Sequence, residues 1–280
     1  MIAKAEFAGL PADFWAYVKA LSEKLGYSER GKKSLKRHST KDVQSCLTTL
    51  DLSPKPLNRP LREEFSYLTG LVAYLNYRAA VLEDAVRPRL MNREQAQSEF
   101  ERLKGELDPQ CTLPMNKQKG EKRHEAYLTC IVNMLTEHAL GGCHFDDDPH
   151  RLITVKRDGR LLMTLSRRLD GAYPSATSPM ALWELKEYYG TTTFGSRIAD
   201  GIYETALDGR ELADLRAREG VQVLHYLMVD DYFTWWECGR SYLCRIVDMV
   251  HEGLLDEVLF GREVVERWAD IAAEWPKPTG

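Results

Sequence analysis

The chain has 280 residues, 44% hydrophobic and 29% charged, which is enough apolar content for a sizeable core in one large domain or two modest ones. Its formal net charge of −4 does not advertise indiscriminate nucleic-acid binding, and no apolar run approaches the roughly eighteen residues that a membrane helix needs. Six cysteines without a Cys-x-x-Cys pair, and an opening Met1-Ile2-Ala3-Lys4-Ala5-Glu6 without the apolar core of a secretion signal, predict reduced thiols in a cytoplasmic protein.

The first 110 residues read as mainly helical. Phe14, Tyr17, Val18, Leu21 and Leu25 form one helical stripe that Gly26 ends. Thr40 to Leu50 offers a second, with Val43, Cys46, Leu47 and Leu50 on one side. Ser53-Pro54-Lys55-Pro56 and Arg59-Pro60 make a stiff connector, followed by long helices from about Arg62 to Val86 and Asn92 to Leu107. Asp108-Pro109 is a plausible boundary, dividing the chain into a helical region, 1–110, and a second region, 111–280.

Strands and helices alternate in the second region. A helix spans about Glu121 to Leu140, with Leu128, Val132, Leu135 and Ala139 on one side and Gly141-Gly142 at its end. Glu125 falls on that apolar stripe, where a carboxylate needs a partner, although an acid near a helix N-terminus is favoured in any case. Glu137 lies off the stripe. Arg151 to Lys156 reads as a strand, Asp158-Gly159 as a tight turn, and Leu161 to Leu165 as a returning strand that runs on to Asp170. Gly171, Pro174 and Pro179 mark a loop before a third strand, Met180 to Lys186. A helix from Gly195 to Arg218, a buried strand from Val221 to Val229 and a helix from Gly239 to Leu255 complete the pattern.

Thirteen residues separate Asp170 from Glu184, and Lys186 follows two places on. Side chains alternate along a strand, so Glu184 and Lys186 share a face while Trp183 and Leu185 take the other. Two carboxylates at the ends of neighbouring strands suit a magnesium ion, which prefers hard oxygen ligands and keeps several waters. A lysine beside them can orient or deprotonate a metal-bound water and offset developing charge.

Asp170 with Glu184-Leu185-Lys186 resembles the PD-(D/E)xK nuclease superfamily, whose best-known members are type II restriction endonucleases; Leu169 stands where the nominal motif has proline. The resemblance spans roughly residues 120 to 260. It implies an α/β (α+β) fold: a restriction-endonuclease-like core with a mixed central sheet flanked by helices, beside the helical N-terminal region. It implies Mg2+ held by Asp170, Glu184 and the carbonyl of Leu185, water positioned by Lys186, and a helix glutamate, here Glu125, holding a second metal through water. The activity implied is sequence-specific cleavage of double-stranded DNA by a homodimer, leaving a 5′-phosphate and a 3′-hydroxyl. A structure-specific or nonspecific repair or phage-defence nuclease, and a DNA-binding protein without catalysis, are the alternatives.

Basic residues are concentrated despite the net charge. Arg30, Lys32, Lys33, Lys36, Arg37 and Lys41 face one acid, Glu29, and a second run holds Lys117, Lys119, Lys122 and Arg123. Such clusters are often solvated loops. Beside a nuclease core they suit phosphate contacts, with the Thr40–Leu50 segment as a helix-turn-helix-like reader. Thr191, Thr192, Thr193, Ser196 and Arg197 open the helix after the Glu-x-Lys strand, where a backbone phosphate can sit. The candidate DNA contacts are therefore Lys32, Lys33, Lys36, Arg37, Lys41, Lys119 and Arg197. Asp230-Asp231 reads as a solvated turn, Trp235-Trp236 and Tyr188-Tyr189 as core aromatics. Cys143, His144, Asp146–Asp148 and His150 match no common zinc spacing.

Overall fold

The computed structural model describes all residues except 29, 30, 33, 64, 119, 121, 122, 190–195 and 277–280, and the side chains of 196 and 197. Among the described residues no helix is long and apolar enough to cross a membrane, and all six cysteines are free thiols.

The N-terminal region packs α1 (Ala12–Leu25), α2 (Thr40–Thr49) and α3 (Tyr67–Val81) around Phe14, Val18, Leu21, Leu47, Leu71 and Tyr74. Ser39 and Asp42 form a reciprocal capping box that starts α2. The helix expected from Arg62 begins only at Tyr67. Residues Pro60–Arg62 (β1) and Phe65–Ser66 (β2) first form a short antiparallel hairpin, and the Ser66 hydroxyl accepts the Thr69 N–H to start the helix. Beyond Val81 the chain passes through a wide turn, Leu82–Val86, and a tight one, Arg87–Arg89. Arg78 on α3 is buried and grips both carboxylate oxygens of Asp248 at 2.8 and 2.9 Å, tying these helices to the rest of the molecule.

The remainder is a mixed α/β layer structure. Helix α4 (Arg93–Leu107), started by an Asn92–Gln95 capping box, packs against α5 (Tyr127–Leu140). Ala96, Phe100 and Leu103 of α4 share one core with α5, so both sides of Asp108-Pro109 contribute to it. The four-stranded sheet runs β5 (Gly171–Tyr173), β6 (Ala181–Glu187), β7 (Leu224–Asp230) and β8 (Glu257–Phe260) in that spatial order. β5 lies antiparallel to β6, whereas β6, β7 and β8 are parallel. Their connections are α6 (Ser196–Glu219) and α7 (Arg240–Glu252), with α8 (Arg262–Ala273) closing the chain. Trp183, Tyr226, Met228 and Leu259 face α5 and α8. Leu227, Val229, Val258 and Phe260 face the layer containing α7.

Two further expectations are corrected. The strand read from Leu161 to Asp170 is broken: β3 (Thr154–Arg157) and β4 (Arg160–Thr164) form a separate two-stranded ribbon, and the apparent loop at Gly171 opens β5. Gly171 lies so close to the Trp183 indole that an added Cβ would fall 1.9 Å from it, which explains a glycine in so short a strand. Secondly, α5 begins at Tyr127, and residues 123–126 precede it as non-helical chain in which Glu125 bridges Met115.

Candidate functional site

Register brings the motif together. Gly171 pairs with Trp183, so Asp170 and Glu184 lie one step beyond the last pair of the β5–β6 ladder. The Asp170 carboxylate turns back to accept the Leu185 backbone N–H at 2.8 Å. Burial, reinforced by the Glu184 charge, pushes Asp170 up to about 7. Leu185 is thus held at the strand edge next to Asp170, and both line a cavity of about 720 Å³ with Asn133, Asp148, His150 and Glu187.

Glu184 and Lys186 project from the face opposite Leu185, toward α6. Lys186 Nζ lies 2.5 Å from Glu184 Oε1 and 3.4 Å from Glu204 Oε2. Burial opposes charge on both groups, but each supports its partner: Lys186 is held above the usual lysine range, and Glu184, also helped by Arg167, below the usual carboxylate range. Gly201 on α6 makes the room, since an added Cβ there would sit 2.9 Å from Lys186 Cε.

Arg167 and Asp208 extend this layer. Arg167 Nη2 is 2.8 Å from Glu184 Oε2 and 3.0 Å from Asp208 Oδ2. Asp208 is fully buried, and burial pushes it up to about 7 against the pull of Arg167. Glu184 Oε2, Asp208 Oδ1 and Arg167 Nη2 all lack a well-directed hydrogen bond, although they are buried. Buried oxygens in that state ordinarily have a partner.

The donor set that the resemblance names is of the hard-oxygen kind magnesium takes. Both Glu184 oxygens, however, already meet cations, Oε1 the Lys186 ammonium and Oε2 the Arg167 guanidinium at 2.8 Å, and the Asp170 carboxylate meets the Leu185 N–H. Among the described residues there is no cluster of three or more His, Cys, Asp or Glu able to enclose a metal. An ion held by two carboxylates, a carbonyl and water needs no such cage.

The other expected residues are placed less closely. Glu125 lies ahead of α5 rather than on it and is not among the residues lining the cavity, and Glu137 accepts the Gln110 N–H. The cavity instead holds a glutamate that the motif did not single out, Glu187. It is half-buried against the N-terminus of α5, where loss of solvent pushes its carboxyl up to about 7.

Of the basic candidates, Lys36 donates to the Leu25 carbonyl at the end of α1. Arg37 binds Glu83 at 2.8 Å and the Asn76 carbonyl at 2.9 Å. Both line a separate 470 Å³ cavity with Lys32 and His38, while Lys41 is exposed in the first turn of α2. Lys33, Lys119 and Thr191–Thr193 lie outside the described residues; Ser196 and Arg197 belong to α6, but their side chains lie outside them as well.

Asp230-Asp231 is not a solvated turn. Asp230 is fully buried, accepting the Met91 and Asp231 N–H groups and the Tyr189 hydroxyl. Trp235 and Trp236 are core residues, as expected.

Compared with known proteins, residues 91–275 match the model of DUF7687, described as a domain of unknown function, and residues 1–85 match that of DUF7690, described in the same words. No curated protein and no solved structure matches the chain. With more than half its length under the first model, the chain belongs to the DUF7687 family.

Proposed function

We propose that this protein is a magnesium-dependent endonuclease of the PD-(D/E)xK type acting on double-stranded DNA, most simply as a sequence-specific restriction enzyme working as a homodimer. The observation that supports the reading is that Asp170 and Glu184 both lie one step beyond the Gly171–Trp183 pair that ends the β5–β6 ladder, with Lys186 on the same face of β6 as Glu184. A strand pair presenting acid, acid and lysine over an antiparallel-then-parallel sheet is the arrangement that the resemblance implies.

Asp170, Glu184 and the Leu185 carbonyl would hold the ion, which when bound supplies charge neutralisation and a more acidic water. Lys186, paired with Glu184, would position or activate the attacking water and offset charge on the phosphate. Lys186 and Arg167 keep Glu184 charged, and Asp208 holds Arg167 in place beside it. In-line attack on phosphorus leaves a 5′-phosphate and a 3′-hydroxyl. A two-fold dimer would match the symmetry of a palindromic site.

The test is incubation of the purified protein with phage and plasmid DNA, with magnesium or with EDTA, beside Lys186→Ala. Discrete magnesium-dependent fragments, absent with the variant, are expected. Cleavage retained by both Asp170→Ala and Lys186→Ala would overturn these roles, and a smear would replace sequence-specific cutting with structure-directed or nonspecific cutting.

A further inference from the structure

The ribbon β3–β4 and the chain flanking it carry a charge pattern distinct from the basic runs at residues 30–41 and 117–123. Residues 151–168 hold Arg151, Lys156, Arg157, Arg160, Arg167 and Arg168 against a single acid, Asp158, a local charge of +5 in a chain of net charge −4. Arg167 turns inward to Glu184 and Asp208, and the other five basic residues are exposed.

The ribbon is anchored at its root. Ile153, Val155 and Leu165 are buried in one cluster with Leu212 and Leu215 of α6. Arg157 donates to the Glu219 carbonyl, Arg160 pairs with the Glu219 carboxylate at 2.6 Å, and the Ser166 N–H donates to Glu211 at 3.1 Å. Leu161 on the returning strand is 58% exposed, and no described acid pairs with Arg151, Lys156 or Arg168. A fixed two-stranded ribbon, with exposed basic residues on it and on its flanks, thus ends at Thr164, ahead of Asp170 in the chain.

The geometry points to this ribbon as the element that grips duplex DNA, seated along the major groove with Arg151, Lys156 and Arg168 on the phosphates flanking the cleavage centre. The B-DNA major groove admits a two-stranded ribbon, and β-ribbon proteins bind in this way. Charge complementarity supplies the partner: exposed guanidinium and ammonium groups without a described ion-pair partner release counterions when they meet phosphates. The inference rests on the nuclease reading for its choice of DNA. It is tested without cleavage, so that the two can fail separately.

Equilibrium binding of a fluorescent DNA duplex is measured in EDTA across a salt series, for the intact protein and for Arg151→Ala/Lys156→Ala. Neither residue has a described ion-pair partner, so folding is spared, and a thermal melt checks it. The slope of log affinity against log salt should become shallower by about 1–2, with roughly tenfold weaker binding at low salt. Arg151→Lys/Lys156→Arg should restore both. Adding Arg168→Ala should weaken binding further.

Binding by the alanine variant equal to that of the intact protein would overturn the proposal while leaving the cleavage assay to judge the nuclease reading. Failure of the intact protein to bind duplex DNA would overturn it too. So would equal affinity for duplex RNA, whose major groove is too narrow for the ribbon.

Discussion

The carboxylate of Glu187, at the last residue of β6, accepts both the backbone N–H and the hydroxyl of Thr129 in the first turn of α5. The residue before that helix is Ala126, which has no side chain able to cap it. A strand therefore supplies the cap that the local sequence lacks, joining the sheet to the helix that covers it. Glu187→Ala leaves first-turn N–H groups without their acceptor and should cost about 1–2 kcal/mol, the usual size of a lost cap. Glu187→Gln keeps an acceptor and should cost less. Urea unfolding at unchanged m-value measures both, and equal losses in the two variants would count against the cap.

Asp230 sets a dependence of stability on pH. Burial lifts its carboxyl from an ordinary value of 3.8 to about 8 in the folded protein. Between those values the folded chain holds a proton that the unfolded chain releases, so this contribution to stability falls as pH rises and levels off above about 8. The slope within the window is at most about 1.4 kcal/mol per pH unit. Asp230→Asn should flatten the melting temperature between pH 5 and pH 8 relative to the unchanged protein. Parallel profiles would show that Asp230 does not titrate in this range.

Gly201 sets the position of Lys186. Alanine is the better helix former by about 1 kcal/mol, which offsets only part of the cost of disturbing a buried ion pair, so a thermal melt of Gly201→Ala accompanies the assay. Its methyl group would stand 2.9 Å from Lys186 Cε and push the ammonium off Glu184. If Lys186 acts as proposed, magnesium-dependent cleavage should drop at least about tenfold, the effect of some 1.4 kcal/mol on the barrier. Full activity in a stable Gly201→Ala protein would mean that the position of Lys186 does not matter.

Elements with a strong period were legible in the sequence. The stripe Leu128, Val132, Leu135 lies in α5, the run from Val221 contains β7, and the alternation at Glu184 and Lys186 places both on one face of β6, as expected. Elements too short to show a period were not. β5 is three residues, Gly-Ala-Tyr, flanked by a proline that signals a turn, and β8 is four, Glu-Val-Leu-Phe. Both exist because a long neighbour offers its edge. The starting point of α5 was misread because the apolar spacing gives no sign that residues 115 and 125 bridge one another.

The same limit applied to the site. Asp170, Glu184 and Lys186 stand within seventeen residues and could be read together. Glu187, Asp208 and Asp230 depend on partners such as Thr129, Arg167 and Met91, which only folding brings near. The one usable signal was Glu187 itself, an acid ending an otherwise buried strand.

Because odd and even residues of β6 serve opposite layers, the count of residues along it is constrained as tightly as their identities. One residue inserted between Ala181 and Trp183 would swing the Trp183 indole into the layer of Arg167 and Asp208, and set the Glu184 charge among Trp268 and Trp275. Relatives that vary in length should therefore do so elsewhere. The exposed ribbon tip at Asp158 and Gly159 is the place where added or deleted residues leave that frame unchanged.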